Sequence, residues 1–165
     1  MTIEQANLSR RAALKGAAGL VIALTLPLGG GKLLAQSAAT GKPLAVNAYV
    51  RIGSDDIVTV IVKHLEMGQG PLTGLSTLVA EELDADWSKI RTEHAPVDAT
   101  LYAGIPGIQM TGGSNAIATS YDLMRRAGAT ARAMLVQAAA LAWKVKPEDI
   151  TVSQGVLRHA ASQRE

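Results

Sequence analysis

The sequence predicts an α+β fold, a mixed sheet with helices packed on one face. Three observations predict it. The first is a β-branched run, Ile57-Val58-Thr59-Val60-Ile61-Val62, which follows the turn residues Gly53-Ser54-Asp55-Asp56. The second is a helical period after Pro71, where Leu72, Leu75, Leu78, Val79 and Leu83 share one face. The third is a longer helical pattern from about Asn115 to Trp143, carried by Leu123, Ala127, Ala131, Met134, Leu135, Ala138 and Leu141. Strands and helices do not alternate strictly. Their order, ββαβ, then a loop, then αββ, suits helices laid on one face of a sheet.

Taken in order, residues 1–39 form a leader with its linker, and residues 40–165 form the folded unit. Leu8-Ser9-Arg10-Arg11-Ala12-Ala13-Leu14-Lys15 precedes an uncharged, largely apolar run from Gly16 to Leu28. This is a basic segment followed by a short hydrophobic one, the layout of an export signal. The run is shorter than the ~20 apolar residues of a spanning helix. Ser-Arg-Arg-x-x-Leu-Lys resembles the twin-arginine export signal, with Ala13 where Phe is usual. The expectation is a periplasmic protein, its leader either cleaved or kept as a membrane anchor.

Thr40-Gly41-Lys42-Pro43 reads as a linker, and Leu44 to Ile52 as one loosely alternating strand that forms a hairpin with Ile57 to Val62. Pro71 suits a first helical turn. Asp84 to Lys89 ends that helix. Ile90 to Ala95 reads as a strand with Arg91 and Glu93 on one face and Ile90, Thr92 and His94 on the other. Pro96 to Gly113 has neither period and reads as a long loop. After the second helix and a turn at Val145-Lys146-Pro147-Glu148-Asp149, Ile150 to Ser153 and Val156 to His159 form a hairpin around Gln154-Gly155.

Composition excludes several classes. The chain has 165 residues, enough for one domain with a real core. It has no Cys, which rules out disulfides and any Cys-ligated zinc or iron–sulfur centre within it. The leader holds four of the 16 basic residues and one of the 14 acidic ones, so the remainder carries 12 against 13. The net charge of +2 therefore belongs to the leader. No basic stripe with interleaved aromatics points to nucleic acid. His64, His94 and His159 lie in different elements without metal-ligand spacing. Glu66, Glu81 and Glu82 are the acid–base candidates, with Glu81 and Glu82 better read as a solvated helix face. Arg125, Arg126 and Arg132 read likewise as solvated. Ser114 has no evident base, so no residue is assigned a catalytic role.

Two glycine-rich segments each precede a helix. Gly68-Gln69-Gly70 follows His64-Leu65-Glu66-Met67 at a strand-to-helix passage, and Thr111-Gly112-Gly113-Ser114-Asn115 opens the long helix. Glycine permits φ > 0, and amides at a helix start point outward toward anions. Gln69 adds an amide that donates and accepts. If the two helix starts converge, they make one cleft for a ligand with a phosphate and a heterocyclic edge; otherwise they are two unrelated turns. Neither segment matches a Walker loop or the dinucleotide fingerprint.

His-x-Glu-Met-Gly-Gln-Gly-x-x-Thr-Gly-Leu, Val79-Ala80-Glu81-Glu82-Leu83-Asp84, Met110-Thr111-Gly112-Gly113-Ser114 and Leu123-Met124-Arg125-Arg126-Ala127-Gly128-Ala129 together resemble a known family. It is the molybdopterin-binding large subunit of the xanthine dehydrogenase/aldehyde oxidase family, in the branch of isoquinoline 1-oxidoreductase beta subunits and membrane-linked aldehyde dehydrogenases. The resemblance covers the N-terminal portion of such a subunit, a partial molybdopterin-binding domain. It implies molybdenum-dependent hydroxylation of an aldehyde or N-heterocycle, with molybdopterin cytosine dinucleotide as cofactor. It implies that Gly68, Gln69 and Gly70 contact the pterin part, and that Thr111, Gly112, Gly113, Ser114 and Asn115 hold its phosphate or pterin edge. Asn115-Ala116 stands where relatives often carry Ser or Thr. Implied partners are the remainder of the large subunit, a [2Fe–2S] small subunit and a c-type cytochrome. The family's Gly-x-Gly-Glu-type catalytic motif is absent, so the chain is expected to be inactive alone. A small non-catalytic exported binding domain, or a truncated remnant, is the alternative.

Overall fold

The computed structural model describes residues 44–104 and 107–165, so the leader and the linker after it lie outside the described residues. Strands β1 (Leu44–Asn47), β2 (Val50–Ile52), β3 (Val58–Val62) and β4 (Ile90–His94) form one sheet in that order. β1 with β2 and β2 with β3 are antiparallel, while β3 and β4 are parallel. The sheet is mixed, as the sequence predicts.

One expected strand is two. The chain turns at Ala48-Tyr49, between β1 and β2, instead of running straight from Leu44 to Ile52. The cause lies about fifty residues away. Tyr49 Oη donates to the Leu101 carbonyl and Tyr102 Oη donates to the Ala48 carbonyl, each at 2.8 Å. The two rings meet edge to face, 5.4 Å between centroids. Tyr102 belongs to α2 (Ala99–Tyr102), a single turn inside the segment that reads as loop. The Asp98 carboxylate caps it by accepting from Thr100 and Leu101 N–H. Four residues are too few to show a hydrophobic period.

α1 (Pro71–Leu83) and α3 (Ala116–Trp143) cover one face of the sheet. Register puts Val50, Ile52, Val58, Val60 and Val62 on that face, all 3% exposed or less. They pack with Leu75, Val79, Leu83, Met124, Ala127 and Ala131. The other face carries Arg51, Thr59, Arg91 and Glu93, with Arg51 paired to Glu93. Small residues let the helices approach. A Cβ on Gly128 would sit 2.6 Å from the Val79 carbonyl oxygen. Gly74 lies against Ile117, Glu82 pairs with Arg125, and Asp84 pairs with Arg132. Later α1 residues therefore meet later α3 residues. The helices run the same way and begin at the same end. Glu82 and Arg125 are thus an interhelical pair and not two separately solvated groups; Glu81 is exposed.

The far end of α3 builds a second small core. Ala139, Ala140 and Trp143 pack with Ile150 and with Leu157 of the hairpin β5 (Thr151–Ser153) and β6 (Val156–Arg158). Gln154 N–H donates to the Asp84 carboxylate at 3.2 Å, tying that hairpin to the end of α1. No helix among the described residues is long and apolar enough to cross a membrane.

Candidate cofactor-binding site

Because α1 and α3 start at the same end, the two glycine-rich loops meet. Leu65 N–H donates to Thr111 Oγ1 at 2.8 Å. One residue earlier, His64 is 3% exposed and its Nε2 lies 3.1 Å from Ser120 Oγ on α3. Desolvation, then the charge of Lys63, pushes the His64 pKa down, against a backbone contact from Met110 that raises it. His64 thus links the first loop to α3, in a setting that disfavours its charged form.

The first loop satisfies itself. Glu66 Oε1 accepts from Gly68 N–H at 2.8 Å and Gly70 N–H at 3.0 Å, and Oε2 accepts from Leu72 N–H at 3.2 Å. Gly68 and Gly70 turn with φ of 92° and 85°, which L side chains rarely adopt. Those bonds, the one from Gly70 foremost, pull the Glu66 pKa down, and the nearby His94 charge adds to the effect. This corrects the reading of the sequence at two points. The amides of Gly68 and Gly70 do not await an external anion, because Glu66 holds them. Glu66 itself caps the start of α1 and is not placed as an acid or base.

Gln69 is also folded back. Its Oε1 accepts from Met67 N–H at 2.6 Å and its Nε2 donates to the Leu65 carbonyl at 2.7 Å. These two bonds orient the amide. They leave one Nε2 hydrogen and one Oε1 lone pair for another group. Gln69 is exposed, and a Cβ on Gly68 or Gly70 would meet nothing within 4 Å. The outer side of this loop is open.

The second loop differs. Gly113 and Ser114 both have positive φ, 66° and 54°, and Asn115 stands at the N-cap of α3 without a side-chain cap bond. The Asn115 carbonyl accepts from the N–H and hydroxyl of Thr119, each at 2.9 Å. Thr111 and Gly112 are half-buried, while Gly113 and Ser114 are exposed. The start of α3 is thus free of the internal carboxylate that closes α1. Here outward amides and the macrodipole favour an anion. Sequence reasoning missed three contributors: Glu66 as a cap, the His64–Ser120 contact, and the approach of His94. The first had a signal, an acidic residue shortly before a Pro-led helix.

A mixed sheet, two co-directional helices and their joined starts define an α+β unit. The model of the molybdopterin cofactor-binding domain matches residues 3–165, and the chain belongs to that family. It is 36% identical over 98% of its length to the isoquinoline 1-oxidoreductase beta chain of Brevundimonas diminuta, covering 21% of that protein. It is 30% identical over 97% of its length to a membrane-bound aldehyde dehydrogenase [pyrroloquinoline-quinone] of Gluconacetobacter polyoxogenes, again covering 21%. A nicotinate dehydrogenase subunit of Pseudomonas putida is 29% identical over 72% of this chain, covering 10% of that protein. The chain spans about a fifth of the length of the first two relatives. The chemistry of the residues fits part of a molybdopterin group: an oriented amide edge at Gln69 on one loop, and on the other a helix start at Asn115 with no side-chain cap.

Proposed function

We propose that this chain is the cofactor-contacting N-terminal portion of an exported molybdenum hydroxylase acting on an aldehyde or an N-heterocycle. The convergence of the two loops carries the reading. Gln69 presents its remaining donor and acceptor to the pterin part, flanked by Gly68 and Gly70. Thr111, Gly112, Gly113, Ser114 and Asn115 shape the α3 start that receives a phosphate. Molybdopterin, here as its cytosine dinucleotide, supplies the redox centre when bound. This chain's residues bind and orient; none acts as the catalytic base, and the chain alone is inactive. Its partners are the remainder of the large subunit, a [2Fe–2S] small subunit and a c-type cytochrome.

The first test measures molybdenum content and mass in native spectrometry, on this chain tagged and purified from its own host. A larger assembly with stoichiometric molybdenum is expected. A metal-free chain found alone would overturn the reading. Within the assembly, Gln69→Ala lowers molybdenum occupancy and turnover by about tenfold, the worth of one lost hydrogen bond with its partner left bare. Unchanged occupancy would remove Gln69 from the site. Export is tested by Arg10→Lys with Arg11→Lys, which retains the protein in the cytoplasm; undiminished periplasmic protein would reject the twin-arginine route.

A further inference from the structure

β4 is the last strand of its sheet among the described residues. Ala95 N–H donates to the Val62 carbonyl at 2.8 Å. By strand alternation the N–H groups of Arg91 and Glu93 also face β3, and those of Thr92 and His94 point to the open edge. Register places Thr92 and His94 beside Val60 and Val62, on the face that the helices cover. Val60 and Val62 are sealed at 0% and 1% exposure, yet Thr92 and His94 are exposed. The helix layer ends over β3, and in β4 it buries Ile90 alone.

Proteins blunt an exposed edge with bulges, proline, inward charges or a covering element. β4 keeps an unbroken register over five residues, without bulge or proline. Arg91 and Glu93 face the other way and are engaged, Arg91 with the carbonyls of Ser88 and Ile90, Glu93 with Arg51, so the one titratable side chain on the core face is His94. So among the described residues this strand is open on its edge and on its core face. About four-fifths of the length of the first two relatives lies outside the segment this chain matches.

We propose that β4 is an interior strand of the assembled subunit. An extended segment from the unmatched four-fifths pairs with its outer edge, bonding the main chain of Thr92 and His94, and covers their exposed face. The proposal rests on family membership and not on cofactor retention, so metal-free protein tests it equally well.

The experiment mixes this chain with the polypeptide of the Brevundimonas diminuta beta chain that lacks the matched fifth, both without cofactor. A complex is expected, in which amide exchange at Thr92 and His94 slows by about a hundredfold, as for newly hydrogen-bonded amides. Thr92→Pro removes the outward N–H and leaves the β3 ladder intact. It should hold the melting temperature of the isolated chain within about 2 °C, as expected at an edge position, and weaken the complex at least about tenfold. Failure to form a complex overturns the proposal. So does a complex that leaves both amides fast or tolerates Thr92→Pro. Protection that grows with the concentration of this chain alone would assign the edge to a second copy, and overturns it too.

Discussion

The two glycine-rich loops look alike in sequence and differ in what fills them. Gly68-Gln69-Gly70 enters α1 with its amides already bonded to Glu66. Gly113-Ser114-Asn115 enters α3 with no side-chain cap. Both helix starts call for negative charge. One receives it from its own chain and becomes a rigid frame for Gln69. The other has no such carboxylate, and it is there that the proposed phosphate would be favoured. Glycine before a helix therefore signals a candidate anion site, and a nearby carboxylate decides whether it is vacant.

The largest expected effect abolishes the convergence of the loops. Gly128→Val forces a side chain against the Val79 carbonyl and separates α1 from α3. Overpacking of this kind costs about 3 kcal/mol, read by urea denaturation. Next comes the anchor of the first loop. The folded pKa of Glu66 lies below its ordinary value of 4.5, so its stabilising contribution is fully present above that pH and is lost as the pH falls through the folded value. His64 has a folded pKa below 6.5 and is favoured neutral, so its penalty appears as the pH falls below about 6.5. Melting temperatures from pH 7 to 3 should fall over both ranges. Glu66→Gln should flatten the lower range and leave the upper one; an unchanged acid limb would remove Glu66 as the anchor. The smallest effect closes the open loop. Asn115→Asp adds a carboxylate at the α3 start and should stabilise the chain by about 0.5 kcal/mol, read as a rise in the denaturation midpoint. If the proposed cofactor phosphate sits at this helix start, the same change should also lower molybdenum content in the proposed assembly, because it sets a charge against that phosphate.

Much of the fold was legible because its signals are local and periodic. The β-branched run of β3, the Leu75–Val79–Leu83 face of α1 and the long α3 pattern ending at Trp143 all stand as read. The turn at Ala48-Tyr49 was not legible, since it depends on Tyr102 carried there by another segment. The two glycine-rich loops before the helices were legible, and the Thr111–Leu65 bond joins them. What escaped was occupancy. Glu66 reads from sequence as a free carboxylate, and only its contact with three amides shows that it is spent.

Residue order alone established the class of fold, the places where strands hand over to helices, and the family, because periodicity and motif spacing are properties of a line. It could not establish which way the two helices run, which amides remain free, or that β4 ends the layer uncovered. Those depend on distances between residues tens of positions apart, set by packing through Gly128 and by hydrogen bonds that close only when the chain is folded.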